Sequence, residues 1–97
     1  MLKGSDSILA PYRALDLTDE KGHLCGKLLG DFGADVIKIE PPAGDPARNI
    51  GPFYHNIPDP EKSLSWFAFN TSKRSLVLDL ETEKGKKTFK TLVAKSD

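Results

Sequence analysis

The stretch FGADVIKIEPPAGDPAR, residues 32–48, runs from an apolar segment through the carboxylate of Glu40 into two prolines and a loop holding both an acid and a base. Its first half, ADVIKIE (34–40), reads as a strand with Val36, Ile37 and Ile39 as its apolar content, and the pattern stops after Glu40. Upstream, in GHLCGKLLGDFG (22–33), Leu24, Cys25, Leu28, Leu29 and Phe32 share one face at helical period, and Gly33 stands where a C-terminal stop belongs. Leu28 and Leu29 are accordingly expected to be buried against a sheet. Before the helix, RALDL (13–17) fits a short strand, and the polar turn TDEKG offers Thr18 and Asp19 as N-caps. Strand, helix and strand in this space predict a βαβ unit and a parallel sheet with a right-handed crossover.

Downstream, six of the seven prolines lie between Pro41 and Pro60. Residues 41–62 therefore read as an ordered excursion without regular structure, and loops of that length inside a compact domain are usually functional or disordered. SLSWFAFN (63–70) fits a helical turn or a short strand. RSLVLDLE (74–81) alternates as a strand, with Leu76, Leu78 and Leu80 on one side. Thr82 is placed to cap a last helix, marked by Phe89, Leu92 and Val93, and the chain reaches Asp97 where another parallel strand is expected to start. The fold class predicted is α/β, a βαβ start of a Rossmann-like parallel sheet that is an incomplete part of a larger domain.

Composition narrows the function classes. With 97 residues, 38% of them hydrophobic, the chain is one small domain or a piece of a larger one, able to bury about two-thirds of its surface. Fourteen basic and fourteen acidic residues cancel, and without a basic run nucleic acid is disfavoured as a partner. Apolar runs of a few residues, and an N-terminus unlike a signal peptide, disfavour a membrane and predict a cytoplasmic protein. Cys25 is alone, so no internal disulfide can form, in keeping with a reducing compartment. Within its apolar helical face the thiol is expected to be a small buried hydrophobe.

A strand, a glycine-bearing helix and an acid at the end of the second strand suggest a dinucleotide site, with Glu40 on the ribose hydroxyls. The spacing opposes it: Gly22, Gly26 and Gly30 repeat every fourth residue rather than as G-x-G-x-x-G, and Asp19 and Glu20 would repel a pyrophosphate. Glycines at that interval line one side of a helix and predict a groove where another backbone packs close. No P-loop sequence occurs. His23 and His55 have no second ligand at metal spacing, so no metal is proposed and each is read as a surface or packing residue. Asp16, Asp35 and Asp79 are nucleophiles in principle, but no base or oxyanion donor can be set beside them from sequence.

The ordered motifs RALDLT, LLGDFGADVIKIEPPAGDPAR and FNTSKRSLVLDLETEKGKKTFKTLVAKSD together resemble the N-terminal segment of the family III CoA-transferases, the group that also contains the α-methylacyl-CoA racemases. The resemblance covers nearly the whole chain from residue 13 and implies that residues 1–97 are the N-terminal part of the large Rossmann-like domain of a longer enzyme. It implies acyl-CoA:carboxylate CoA transfer, with acyl-CoA and a carboxylic acid acceptor as substrates, and two subunits interlocked as a homodimer. Acyl-CoA racemisation, or a non-catalytic nucleotide-binding or structural fragment, are the alternatives. In the family an Asp carboxylate attacks the thioester, giving a mixed anhydride and then an aspartyl-CoA thioester, and it lies downstream of residue 97, so no catalytic residue is expected here.

By position, the resemblance makes Pro41, Leu78, Asp79, Leu80 and Glu81 line the cleft for the CoA adenosine. Many relatives carry Arg at the position of Pro41 and Lys at that of Glu81. Arg48, Lys73 and Arg74 are therefore expected to supply the missing cations, although Asn70, Lys73 and Arg74 read equally well as a polar turn that starts a strand. The isolated chain is expected to expose a sheet edge through which copies associate.

Overall fold

The computed structural model describes residues 7–97. Three strands, β1 (Arg13–Asp16), β2 (Asp35–Glu40) and β3 (Lys73–Val77), form one sheet in the order β1-β2-β3. Both pairings are parallel, with Arg13 opposite Asp35 and Val36 opposite Lys73 at their starts. Helix α1 (His23–Asp31) connects β1 to β2, α2 (Leu64–Phe69) precedes β3, and α3 (Glu83–Ala94) follows it. The expected α/β architecture is therefore present. After α3 the chain returns to the outer edge of β1, where the Asp97 amide donates to the Arg13 carbonyl at 2.8 Å and the Arg13 amide donates to the Asp97 carboxylate at 3.0 Å. Among the described residues no helix is long and apolar enough to cross a membrane.

β2 is the centre of the core. Val36, Ile37 and Ile39 are buried, and so are Lys38 and Glu40, because the strand is covered on both faces and paired along both edges. The strand ends at two prolines, which have no N–H to give a ladder. The excursion that follows holds two short 3₁₀ turns, Pro46–Asn49 and Tyr54–Asn56, where no regular structure was predicted. A bridge between Phe53 and Ser63 and a 2.8 Å bond from the Tyr54 amide to the Lys62 carbonyl fold this loop back on itself. The ambiguous segment SLSWFAFN is α2, because Ser63 caps it by accepting from the Trp66 amide at 3.0 Å.

Helix α1 corrects the sequence reading in three ways. Its N-cap is Gly22, without a side-chain cap; Thr18 instead bonds Asp16, and Asp19 accepts from the Lys21 amide in a tight turn. Its buried residues are His23, Gly26 and Gly30, whereas Leu24, Leu28 and Phe32 are about half exposed at 51%, 47% and 53%, and Leu29 is 37% exposed. Cys25, on the same face, is exposed rather than buried. The helix meets the sheet along its glycine stripe, which lets the backbones approach as the spacing predicted. Gly33 ends the helix with φ of 106°, a conformation glycine tolerates.

A β-carbon at position 30 would sit 2.5 Å from the Ser72 carbonyl oxygen. Gly30→Ala gains about 1 kcal/mol of helix propensity, but the clash is with backbone that cannot rotate away, and overpacking of this kind costs about 1–3 kcal/mol. We expect a net loss of up to about 2 kcal/mol, read as a lower urea midpoint at unchanged slope.

The second half of the chain differs from expectation at one boundary. β3 stops at Val77, not Glu81, because the Asp79 carboxylate accepts from the Glu81 amide at 3.0 Å and the Thr82 amide donates to the Asp79 carbonyl at 3.2 Å, turning the chain. Thr82 caps α3 as predicted, accepting from the Gly85 amide at 3.0 Å.

Candidate functional site

At the carboxyl ends of the strands the backbone opens into a cleft of about 290 Å³. Leu17 beyond β1, Ile39 to Pro42 at the end of β2, and Leu78 to Glu81 beyond β3 form its walls. The two walls are tied at one point, where the Leu78 amide donates to the Glu40 carbonyl at 2.9 Å. The Pro41–Gly44 turn, closed by a 2.8 Å bond from the Gly44 amide to the Pro41 carbonyl, carries the chain off the sheet and leaves this space open. A second hollow of about 310 Å³ lies on the other side of Glu40 and Pro42, with Arg48, Pro60 and Glu61 on its far wall.

Behind the cleft, charged side chains are packed together, Glu40 buried and Arg48 largely so. Glu40 is 1% exposed and is gripped by Arg48 in a two-point fork, Nε to Oε1 at 2.7 Å and Nη2 to Oε2 at 2.9 Å. The Ser75 hydroxyl and the Asp45 amide, the latter at 2.9 Å, also donate to this carboxylate. Burial alone pushes the Glu40 carboxyl up, but the Arg48 fork, Ser75 and the Asp45 amide outweigh it and hold it at about 2. The same fork raises the Arg48 guanidinium above its ordinary value. The guanidinium also lies over the Trp66 ring, 4.3 Å from its centroid.

A second cluster centres on Asp16 at the end of β1. Its carboxylate accepts from Lys73 Nζ at 2.6 Å and from the Thr18 amide and hydroxyl at 2.9 and 2.6 Å, and lies 3.6 Å from Lys38 Nζ. Burial opposes the charge, yet Lys73, Thr18 and Lys38 prevail and hold the Asp16 carboxyl below its usual range. Lys38 Nζ also reaches Asp45 at 3.1 Å and the Thr18 carbonyl. Lys73 donates to Asn70 Oδ1 at 2.7 Å, which fixes that amide so that Nδ2 faces His23 Nδ1 at 3.1 Å. His23 is buried edge-on against Trp66, and its Nε2, without a hydrogen-bond partner, lies 3.5 Å from Asp45. Of the two sequence readings for His23 the structure supports packing; His55 lies exposed in the loop beside Tyr54.

The structure thus gathers Pro41, Leu78, Asp79, Leu80 and Glu81 around one cleft. It does not bring the three expected cations to it. Arg48 stands in the neighbouring hollow with its charge engaged by Glu40. Lys73 is enclosed with Asp16, its side chain 2% exposed. Arg74 is at the opposite end of β3, paired with Asp35 at 2.7 Å. Asp35, held low by Arg74 and Arg13 against the effect of burial, and Asp16, locked between lysines, are both poorly placed for nucleophilic attack. The buried polar residues Lys38 and Asp45, and the exposed Ser75 that donates to Glu40, were not singled out by sequence; a lysine and a glutamate inside a strand buried on both faces would have signalled ion pairs. Among the described residues no three His, Cys, Asp or Glu side chains stand close enough to hold a metal ion.

An open parallel sheet with helical connections defines an α/β protein, a class whose ligands bind outside the carboxyl ends of the strands. Within that class the chain belongs to CoA-transferase family III, whose family model matches residues 9–97. It is 42% identical over 86 residues to the succinyl-CoA:(R)-benzylsuccinate CoA-transferase subunit BbsE of Thauera aromatica, covering 89% of this chain and 21% of that one. It is 38% identical to the formyl-CoA:oxalate CoA-transferase of Streptomyces avermitilis, over 92% of this chain and 21% of the relative. Among solved structures, a hypothetical protein of Mycobacterium tuberculosis superposes with a TM-score of 0.81 at 33% identity, over 97% of this chain and 25% of that one. A CAIB/BAIF family protein of Brucella suis gives the same TM-score at 34% identity, over 94% and 24%. The chain spans about a fifth to a quarter of the length of these relatives.

Proposed function

We propose that this chain supplies part of the CoA-binding cleft of an acyl-CoA:carboxylate CoA-transferase, with acyl-CoA and a carboxylic acid as substrates. The observation that carries the proposal is the meeting of Pro41 with Leu78–Glu81 around a single cleft. At about 290 Å³ the cleft lies at the small end of ligand sites, about 300–1,000 Å³, so it suits one end of a ligand as large as an acyl-CoA. Residues 1–97 form the N-terminal part of the large domain, and the remainder of the enzyme, as an interlocked homodimer, covers the apolar face of α1. The nucleophilic carboxylate lies outside residues 1–97, no metal takes part, and the enzyme is cytoplasmic, as its lone Cys25 suggests.

Adding CoA to the labelled chain should shift the amides of residues 78–81 and those flanking Pro41, more than NAD does. With an acyl-CoA donor and a carboxylate acceptor the chain alone should show no turnover and no acyl-enzyme trapped by hydroxylamine. Shifts confined to the TDEKG turn and stronger with NAD would favour a dinucleotide site, and turnover abolished by Asp79→Ala would place the chemistry here.

A further inference from the structure

His23 opens α1, is 2% exposed, and is a titratable group that the cleft does not use. Its ring faces Asp45 of the loop after β2, 3.5 Å from Nε2, and Asn70 at the end of α2, 3.1 Å from Nδ1. Trp66 of α2 lies edge-on to it, with the Arg48 guanidinium over that indole. Lys73 of β3 donates to the His23 carbonyl at 2.9 Å and to Asn70 Oδ1 at 2.7 Å. One contact further, Lys73 meets Asp16 of β1 at 2.6 Å, and Lys38 of β2 meets Asp45 at 3.1 Å. These contacts decide where the ring carries its hydrogen. An ammonium can only donate, so Asn70 turns its oxygen to Lys73 and its amide nitrogen to the histidine, and Nδ1 must accept. Nε2, which has no hydrogen-bond partner among the described residues, then holds the hydrogen and directs it at the Asp45 carboxylate, where a bare lone pair would be repelled. Around this neutral ring the carboxylates of Asp16 and Asp45 balance the ammoniums of Lys38 and Lys73.

We propose that His23, Asn70 and Lys73 form a proton-sensitive latch: the ring sits as the Nε2–H tautomer, and a second proton, taken from solvent at Nδ1, turns the Asn70 amide over and breaks its bond to Lys73. With Nδ1 protonated, two donors face each other until Asn70 presents Oδ1 to the ring. The Asn70 amide nitrogen then faces the Lys73 ammonium, and that contact is lost. Asp45 meets the new charge at Nε2, while Lys73 keeps Asp16 and the His23 carbonyl, so the fold survives with one bond fewer between the end of α2 and β3. The balanced, buried cluster opposes an added charge, and acid drives it in.

The test is a nitrogen NMR titration of the isotope-labelled chain from about pH 8 to about pH 5, the interval in which imidazoles change charge. At the upper end the His23 ring should show a bare Nδ1 and a protonated Nε2, with a nitrogen–nitrogen coupling through the hydrogen bond from Asn70 Nδ2. On acidification that coupling should vanish in step with protonation of the ring, and the Asn70 side-chain amide and Lys73 Nζ signals should shift with the same midpoint. His23→Asn offers an oxygen near the place of Nδ1, so it should hold Asn70 as in the neutral state and remove the transition at Asn70 and Lys73. If that variant does not fold, the wild-type signals decide alone. A hydrogen on Nδ1 at the upper end overturns the proposal, and so does a His23 ring that titrates without moving Asn70 or stays neutral until acid unfolds the chain. An Asn70 transition that persists in folded His23→Asn overturns it as well.

Discussion

Asp16→Asn should destabilise the chain by about 3–5 kcal/mol, the usual cost of removing one partner of a buried ion pair. Asp16 accepts from Lys73 at 2.6 Å and lies 3.6 Å from Lys38, and both lysine side chains are 2% exposed. The asparagine keeps the volume but leaves the Lys73 ammonium with neutral partners, Asn70 and the His23 carbonyl. It also turns an amide N–H toward a group that can only donate. A loss this large is a substantial part of the stability of any small domain. Pairing Asp16→Asn with Lys73→Met should lose less than the sum of the single variants, because the orphaned charge goes with its partner. Urea unfolding of the three variants measures both effects, and strict additivity would show that the pair is not energetically coupled.

Arg48→Ala should cost a similar amount, about 3–5 kcal/mol, and Arg48→Lys should recover little of it. The fork to Glu40 needs two parallel donors on one planar group, and the same plane covers Trp66. Acid gives an independent readout. The Glu40 carboxyl is held at about 2 against an ordinary value of 4.5. A carboxylate whose folded value is depressed contributes its full stabilisation above the unfolded value and loses it as pH falls toward the folded one. That contribution, on the order of 3 kcal/mol, should be present at pH 6 and disappear between about pH 4.5 and pH 2. The stability gap between wild type and Arg48→Ala should therefore narrow across that interval. A gap constant with pH would assign the loss to packing on Trp66.

The parts of this fold that could be read in the sequence are those whose local signal and tertiary role agree. ADVIKIE is a strand in both senses, since its apolar run is the buried middle of the sheet, and Thr82 caps α3 by a contact three residues long. Helix α1 shows where the reading fails. Apolar periodicity picks the face of Leu28 and Phe32, but steric access picks the face of Gly26 and Gly30, and close approach of α1 to Ser72 decides which face meets the sheet. Likewise Leu78 and Leu80 continue the alternation of β3 although the Asp79 turn has already ended it.

The site was legible to a different degree. Its cleft-lining residues came from resemblance rather than spacing, because they meet only when β2 and β3 lie side by side. The sequence offers Arg48 as a cation for the cleft because nothing in a proline-rich loop tells that its side chain folds back eight residues onto Glu40. For Lys73 the sequence leaves ligand and polar turn equally open, since its partner Asp16 is 57 residues away in the chain.

The order of the sheet also fixes an order in time. β2 is the only strand that pairs with both others; β1 reaches it across 22 residues, whereas β3 lies 37 residues beyond it in register. Parallel pairings over such separations form slowly, since each closes a long loop before any contact rewards it. At ribosomal speeds of about 5–20 residues per second, β1 and β2 wait roughly 2–7 s for β3 to be made. During that wait the outer edge of β2 has no ladder partner, which makes the strand best buried in the finished fold the one most open to mispairing during synthesis.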